Sequence, residues 1–176
     1  MESIQEIKER FKNTPIQELP AFCEIYRADE RKGVQKLVEQ GHKRIAALEK
    51  EKERLKQMRE FEREYEHLGY ICGIDEVGRG PFAGPVVAGA VILPPDCEIL
   101  YVNDSKQLSE KMREQLYDEI MEKAVSVAVG YASPQRIDEI NILQATYEAM
   151  REAVSKLAVT PQILLNDAVT IPQITI

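Results

Sequence analysis

Asp75 and Glu76 stand side by side at the end of an apolar run, and Gly78-Arg79-Gly80-Pro81-Phe82-Ala83-Gly84 follows at once. Carboxylates are hard oxygen ligands suited to Mg²⁺ or Mn²⁺. Glycines let main-chain N–H groups approach a ligand that side chains would hold off. Together these residues read as a metal site meeting a backbone-lined cradle, and chemistry on a phosphodiester is the leading idea. The plainer alternative is a solvated strand terminus before a tight turn at Pro81. Gly73, Gly78, Gly80 and Gly84 fall within twelve residues, with Arg79 among them, which is denser than a turn needs. A dinucleotide fingerprint fits poorly. The spacing is G-x-G-x-x-x-G, Pro81 interrupts it, and the acid pair would repel a pyrophosphate unless a metal intervened.

The run from Asp75 to Val87 resembles the signature of the type 2 ribonucleases H, the bacterial ribonuclease HII family. Asn103-Asp104-Ser105-Lys106-Gln107-Leu108-Ser109 is similar to that family's second motif. Ile137-Asp138-Glu139-Ile140-Asn141-Ile142 resembles a third, and Leu164-Leu165-Asn166-Asp167-Ala168 a fourth. The motifs occur in the family's order over roughly residues 70–172. Phe82, Gln107 and Asn166 depart from the usual residues at their positions.

The resemblance implies a ribonuclease H-like fold in which the first and fourth strands lie side by side, bringing Asp167 to Asp75 and Glu76. It implies that Asp75, Glu76 and Asp167 are catalytic and are three of four carboxylates holding two Mn²⁺ or Mg²⁺ ions. Gly78, Arg79 and Gly80 match the turn whose backbone reads a ribonucleotide 2′-hydroxyl, and Lys106 matches a phosphate contact. Arg79 has a second reading, as an ion-pair partner for the neighbouring acids. Asp104 has the look of a turn residue rather than a ligand.

The implied activity is endonucleolytic hydrolysis of the RNA strand of RNA–DNA hybrids and cleavage 5′ to ribonucleotides embedded in duplex DNA, leaving 3′-hydroxyl and 5′-phosphate ends. The fourth carboxylate, a stacking tyrosine and several basic residues are expected in a continuation past residue 176, so the chain reads as truncated at its C-terminus. A sheet edge and part of an apolar face would then be exposed, favouring self-association. Two rival readings remain: a catalytically incomplete fragment that binds metal or duplex without turnover, and a metal-dependent phosphate-binding module indifferent to RNA.

Bulk properties narrow the field. With 176 residues, 44% of them hydrophobic, the chain can form one compact domain and an appendage. No apolar run approaches the ~20 residues that span a bilayer, and the N-terminus lacks a signal-peptide core, so a soluble cytoplasmic protein is expected. Cys23, Cys72 and Cys97 form no C-x-x-C pair and read as buried free thiols. His42 and His67 lie far from the carboxylate motifs, which argues against a histidine-based mechanism. Residues 1–69 carry 15 basic and 15 acidic side chains, and residues 70–176 carry 8 and 15, so the acid excess sits with the core. Nucleic-acid enzymes need positive surface, and here divalent ions would offset part of that excess. No obligate protein partner is evident.

The elements that must position the motifs fall into two parts. Residues 1–69 are expected to be a helical extension. Pro15 and Pro20 mark turns near its start, and an amphipathic helix runs over Val34–Leu68. Its heptad-like stripe slips by three residues before Met58, Phe61, Tyr65 and Leu68. A hairpin or a partner-binding arm would both suit this segment. Residues 70–176 are expected to be an α/β core, a mixed sheet with flanking helices. Strands are predicted at 70–75, 85–93, 125–132 and 163–166, with helices after Ser109, after Ser133 and over 143–157.

Overall fold

The computed structural model describes residues 2–81, 83–167 and 170–176. The chain forms two compact units, Met1–Met58 and Arg59–Ile176.

The first unit is built from α1 (Ile4–Asn13), α2 (Leu19–Ile25) and α3 (Lys32–Met58). Ser3 caps α1 in a reciprocal pair with Glu6, and Pro20 sits in the first turn of α2, where a missing N–H costs nothing. Pro20 therefore opens a helix instead of marking a turn. Ile7, Phe11, Leu19, Phe22, Cys23, Val34, Leu37 and Val38 close into a core of their own, more than a helical hairpin provides. At Gly41 an added Cβ would lie 2.5 Å from the Cys23 sulfur, so α2 approaches α3 closely at that point. The stripe slip seen in the sequence coincides with a break in the helix at Arg59, after which α4 covers Glu60–Tyr65.

The second unit holds a four-stranded sheet of order β3-β2-β1-β4, comprising β1 (Ile71–Val77), β2 (Val86–Ile92), β3 (Ser126–Ala132) and β4 (Ile163–Leu165). β1, β2 and β3 pair antiparallel and β4 runs parallel to β1, giving the expected ribonuclease H-like mixed sheet with its first and fourth strands adjacent. Alternation sets Cys72 and Ile74 of β1, Val86, Ala88, Ala90 and Ile92 of β2, and Ala128 and Ala132 of β3 into the core. Burial pushes the Cys72 thiol up to about 11. α5 (Glu110–Lys123), capped by Ser109, lies between β2 and β3 in the chain. α6 (Pro134–Ile140) and α7 (Ile142–Ser155) follow β3. Among the described residues no helix is long and apolar enough to cross a membrane.

α7 carries the packing. Its buried stripe of Ala145, Ala149, Met150 and Ala153 faces the sheet, and small side chains let the helix backbone come close. The approach is closest at Gly130, where an added Cβ would strike the Ala149 carbonyl. α7 thereby reaches the outer edge of β3. Glu152 accepts a hydrogen bond from the Tyr131 N–H at 2.7 Å, and Lys156 donates to the Val129 carbonyl at 3.2 Å while pairing with Glu152 at 2.7 Å. Two charged side chains thus satisfy backbone groups that an edge strand would otherwise offer to another chain. Arg136 pins α6 to the same helix through Glu148, at 2.9 and 2.6 Å.

Gly130→Ala should therefore destabilise the second unit by about 3 kcal/mol or more, since the obstruction is backbone and cannot rotate away; urea unfolding measures it, and an unchanged midpoint would refute the close-approach argument. The carboxyls of Glu148 and Glu152 are held below their ordinary value of 4.5, by Arg136 and by Lys156 with the Tyr131 N–H. A lowered folded-state value means stability that is present above the unfolded value and lost as pH falls through the folded one. The urea midpoint should drop below pH 4.5, and Glu152→Gln should shrink that drop.

Candidate active site at the carboxyl end of the sheet

Strand direction assembles one end of the sheet. β1, β3 and β4 all finish there, β2 begins there, and the α6–α7 junction lies just beyond β3. In open α/β sheets this carboxyl end is where ligands bind. Asp75 and Glu76 occupy the last turns of the pleat in β1, opposite Gly89 and Ala88 of β2. Asp75 is exposed on one face and Glu76 half-buried on the other. The Asp75 Oδ1 accepts the Glu76 N–H at 2.8 Å.

The β1–β4 register pairs Ile71 with Ile163, Cys72 with Leu164 and Gly73 with Leu165. β4 ends at Leu165, and Asp167 follows two residues later in a bend outside the paired register. Among the described residues, no three His, Cys, Asp or Glu side chains converge closely enough to hold a metal ion. As donors, though, exposed carboxylate oxygens at a strand terminus suit a hard divalent cation. Asn166, half-buried beside Asp167, has an interaction of its own.

The glycine-rich turn leaves β1 at Gly78, whose φ is +92°. A Cβ there would strike the Pro85 carbonyl, so the turn closes tightly onto the start of β2. Gly80 differs, for a Cβ there meets nothing within 4 Å. Its backbone is accessible, and Arg79 folds back so that its Nη1 lies 3.1 Å from Glu76 Oε1. The structure thus brings Arg79 to an acid of the pair, the second of its two readings. Phe82 and Ala168, singled out in the motifs, lie outside the described residues.

Lys106 sits in a separate exposed loop, in the 3₁₀ turn Ser105–Gln107, and is not joined to the carboxylates by any hydrogen bond or ion pair among the described residues. Asp104 caps that turn by accepting the Lys106 N–H at 2.9 Å, which is the turn role its sequence suggested. The third motif forms the junction between α6 and α7. Asn141 adopts φ +70° there, uncommon for a residue with a side chain, and caps α7 through Gln144 at 3.1 Å. His42 and His67 are exposed, and Cys23, Cys72 and Cys97 are free, with only the first two buried.

The two glycines of the turn should separate on substitution. Gly78→Ala combines a left-handed backbone with a backbone collision and should lower the melting temperature, at a cost of about 1–3 kcal/mol or more. Gly80→Ala should leave the melting temperature unchanged. Equal effects in a thermal melt would contradict this geometry.

Comparison with known proteins bears on the whole chain. Residues 3–66 match the family model described as the ribonuclease HII N-terminal domain, and residues 72–175 match the ribonuclease HII model. The ribonuclease HII of Lachnoclostridium phytofermentans is 65% identical over 151 residues, covering 86% of this chain and 59% of that protein. That of Bacillus cereus is 50% identical over 172 residues, covering 97% and 66%. The chain therefore spans about three-fifths to two-thirds of these relatives' length. Among solved structures, the ribonuclease H2 from Pyrococcus horikoshii OT3 is similar over 57% of this chain and 52% of that one, with 28% identity and a TM-score of 0.46. On the match of both its segments to the family models, the chain belongs to the ribonuclease HII family.

Proposed function

We propose that this protein is a metal-dependent endonuclease that hydrolyses the RNA strand of RNA–DNA hybrids and cuts duplex DNA 5′ to an embedded ribonucleotide, leaving 3′-hydroxyl and 5′-phosphate ends. The observation that supports the reading is the parallel β1–β4 pairing, in which β4 ends two residues before Asp167 beside the strand that carries Asp75 and Glu76. In this reading residues 70–176 form the catalytic core and residues 1–69 an extension. Its substrate is a nucleic-acid duplex, and its place of action is the cytoplasm.

Asp75, Glu76 and Asp167 would hold Mn²⁺ or Mg²⁺ through carboxylate oxygens. The chemistry that such ions supply is activation of a water and neutralisation of the leaving 3′-oxygen in an in-line displacement. The chain's own contribution is recognition. The open backbone around Gly80 is suited to a sugar hydroxyl, because the 2′-OH is both donor and acceptor and alone distinguishes RNA from DNA at a given sugar. Gly78 holds that turn against Pro85, and Arg79 balances the charge of Glu76. Lys106 supplies a cation for a backbone phosphate.

A second reading, binding of metal or duplex without turnover, is favoured by one observation: the described carboxylates do not converge into a coordination shell. A labelled DNA duplex carrying one ribonucleotide, incubated with Mn²⁺ or Mg²⁺, separates the two. A single cut on the 5′ side of the ribonucleotide, abolished in Asp75→Asn, is expected from the endonuclease. An uncut duplex beside a control ribonuclease H that cleaves it would establish the non-catalytic reading, and cutting that ignores the 2′-hydroxyl would refute both.

A further inference from the structure

We infer that Arg113, on the first turns of α5, is a positioning residue that holds the Lys106 loop ready for a phosphate; the inference rests on the proposed reading of Lys106 as a phosphate contact. The loop is exposed, and none of the residues from Asn103 to Ser109 is buried. Leu108 alone is half-buried, so the loop's shape rests largely on hydrogen bonds. Two are internal. The Asp104 carboxylate accepts the Lys106 N–H at 2.9 Å, and the Asn103 amide donates to Gln107 Oε1 at 3.1 Å. Two more come from outside the loop. Arg113 Nη1 donates to the Leu108 carbonyl at 2.7 Å and reaches the Ser105 carbonyl at 3.4 Å.

These two carbonyls flank Lys106, so one guanidinium group brackets the turn that carries it. Arg113 is itself anchored in a helix whose N-terminus is capped by Ser109, the Ser109 Oγ accepting the Met112 N–H at 3.3 Å. Among the described residues Arg113 forms no salt bridge. Its charge is directed at main-chain oxygens. A loop fixed in this way loses less freedom when a ligand arrives, and the saving appears as affinity. Arg113 would thus act on binding without touching the duplex.

Fluorescence anisotropy tests this with a labelled RNA–DNA duplex in EDTA, titrated at several salt concentrations with the full chain, Lys106→Ala, Arg113→Gln, Arg113→Lys and the Lys106→Ala/Arg113→Gln double variant. Loss of a phosphate contact lowers the salt slope by about 0.9. Lys106→Ala should weaken binding and lower the slope by that amount. Arg113→Gln should weaken binding about three- to tenfold with the slope unchanged. Arg113→Lys should recover part of the loss, the double variant should bind no worse than Lys106→Ala alone, and all should melt with the unaltered chain. If Arg113→Gln binds normally, or if its effect lowers the slope and adds in full to that of Lys106→Ala, the positioning role is overturned. If Lys106→Ala itself binds normally, the phosphate reading of Lys106 fails instead, and absence of duplex binding by the unaltered chain overturns the substrate reading on which both stand.

Discussion

The constraint on which the second unit depends is the close approach of α7 to the sheet over Gly130. Only a residue without a Cβ leaves room for the Ala149 carbonyl, and the small side chains of Ala145, Ala149 and Ala153 let the helix lie that deep. From that contact follow the burial of β2 and β3, the reach of Glu152 and Lys156 to the β3 edge, and the return of the chain to begin β4 beside β1. The pairing of β4 with β1, two residues before Asp167, is thus a distant result of helix–sheet packing. The glycine that permits it carries no chemistry.

Much of this was legible in the residues themselves. β2 announces itself through a β-branched run between Pro85 and Pro94 and fills it to within two residues, and the four observed strands overlap the four expected ones. Ser109 and Ser133 both cap helices, as their positions predict. The three-residue slip in the apolar stripe of the extension corresponds to a physical break at Arg59, because a continuous helix cannot keep both stripes on one face. Pairing of β4 with β1 was supplied by family resemblance alone, since no local property of Ile163–Leu165 names a partner ninety residues away.

What stayed hidden depends on tertiary contact. Gly130 sits within a strand pattern and looks like a weak point in it, although its necessity comes from a helix some twenty residues later. Arg113 reads as one of several charges on the face of α5, and its bonds to Ser105 and Leu108 exist only because the loop folds back over the helix start. The first unit's core joins Ile7 and Phe11 of α1 to Phe22 of α2 and the following Tyr26, and neither short helix names its packing partner by itself.

The cysteines acquire a use that has nothing to do with catalysis. Cys23 lies inside the helical unit and Cys72 inside the sheet, both shielded, while Cys97 is half-buried in a loop. Alkylation proceeds through the thiolate, which burial suppresses at Cys72 until the surrounding core opens. Each unit therefore contains its own chronometer of opening, and Cys97 serves as the clock without a cover.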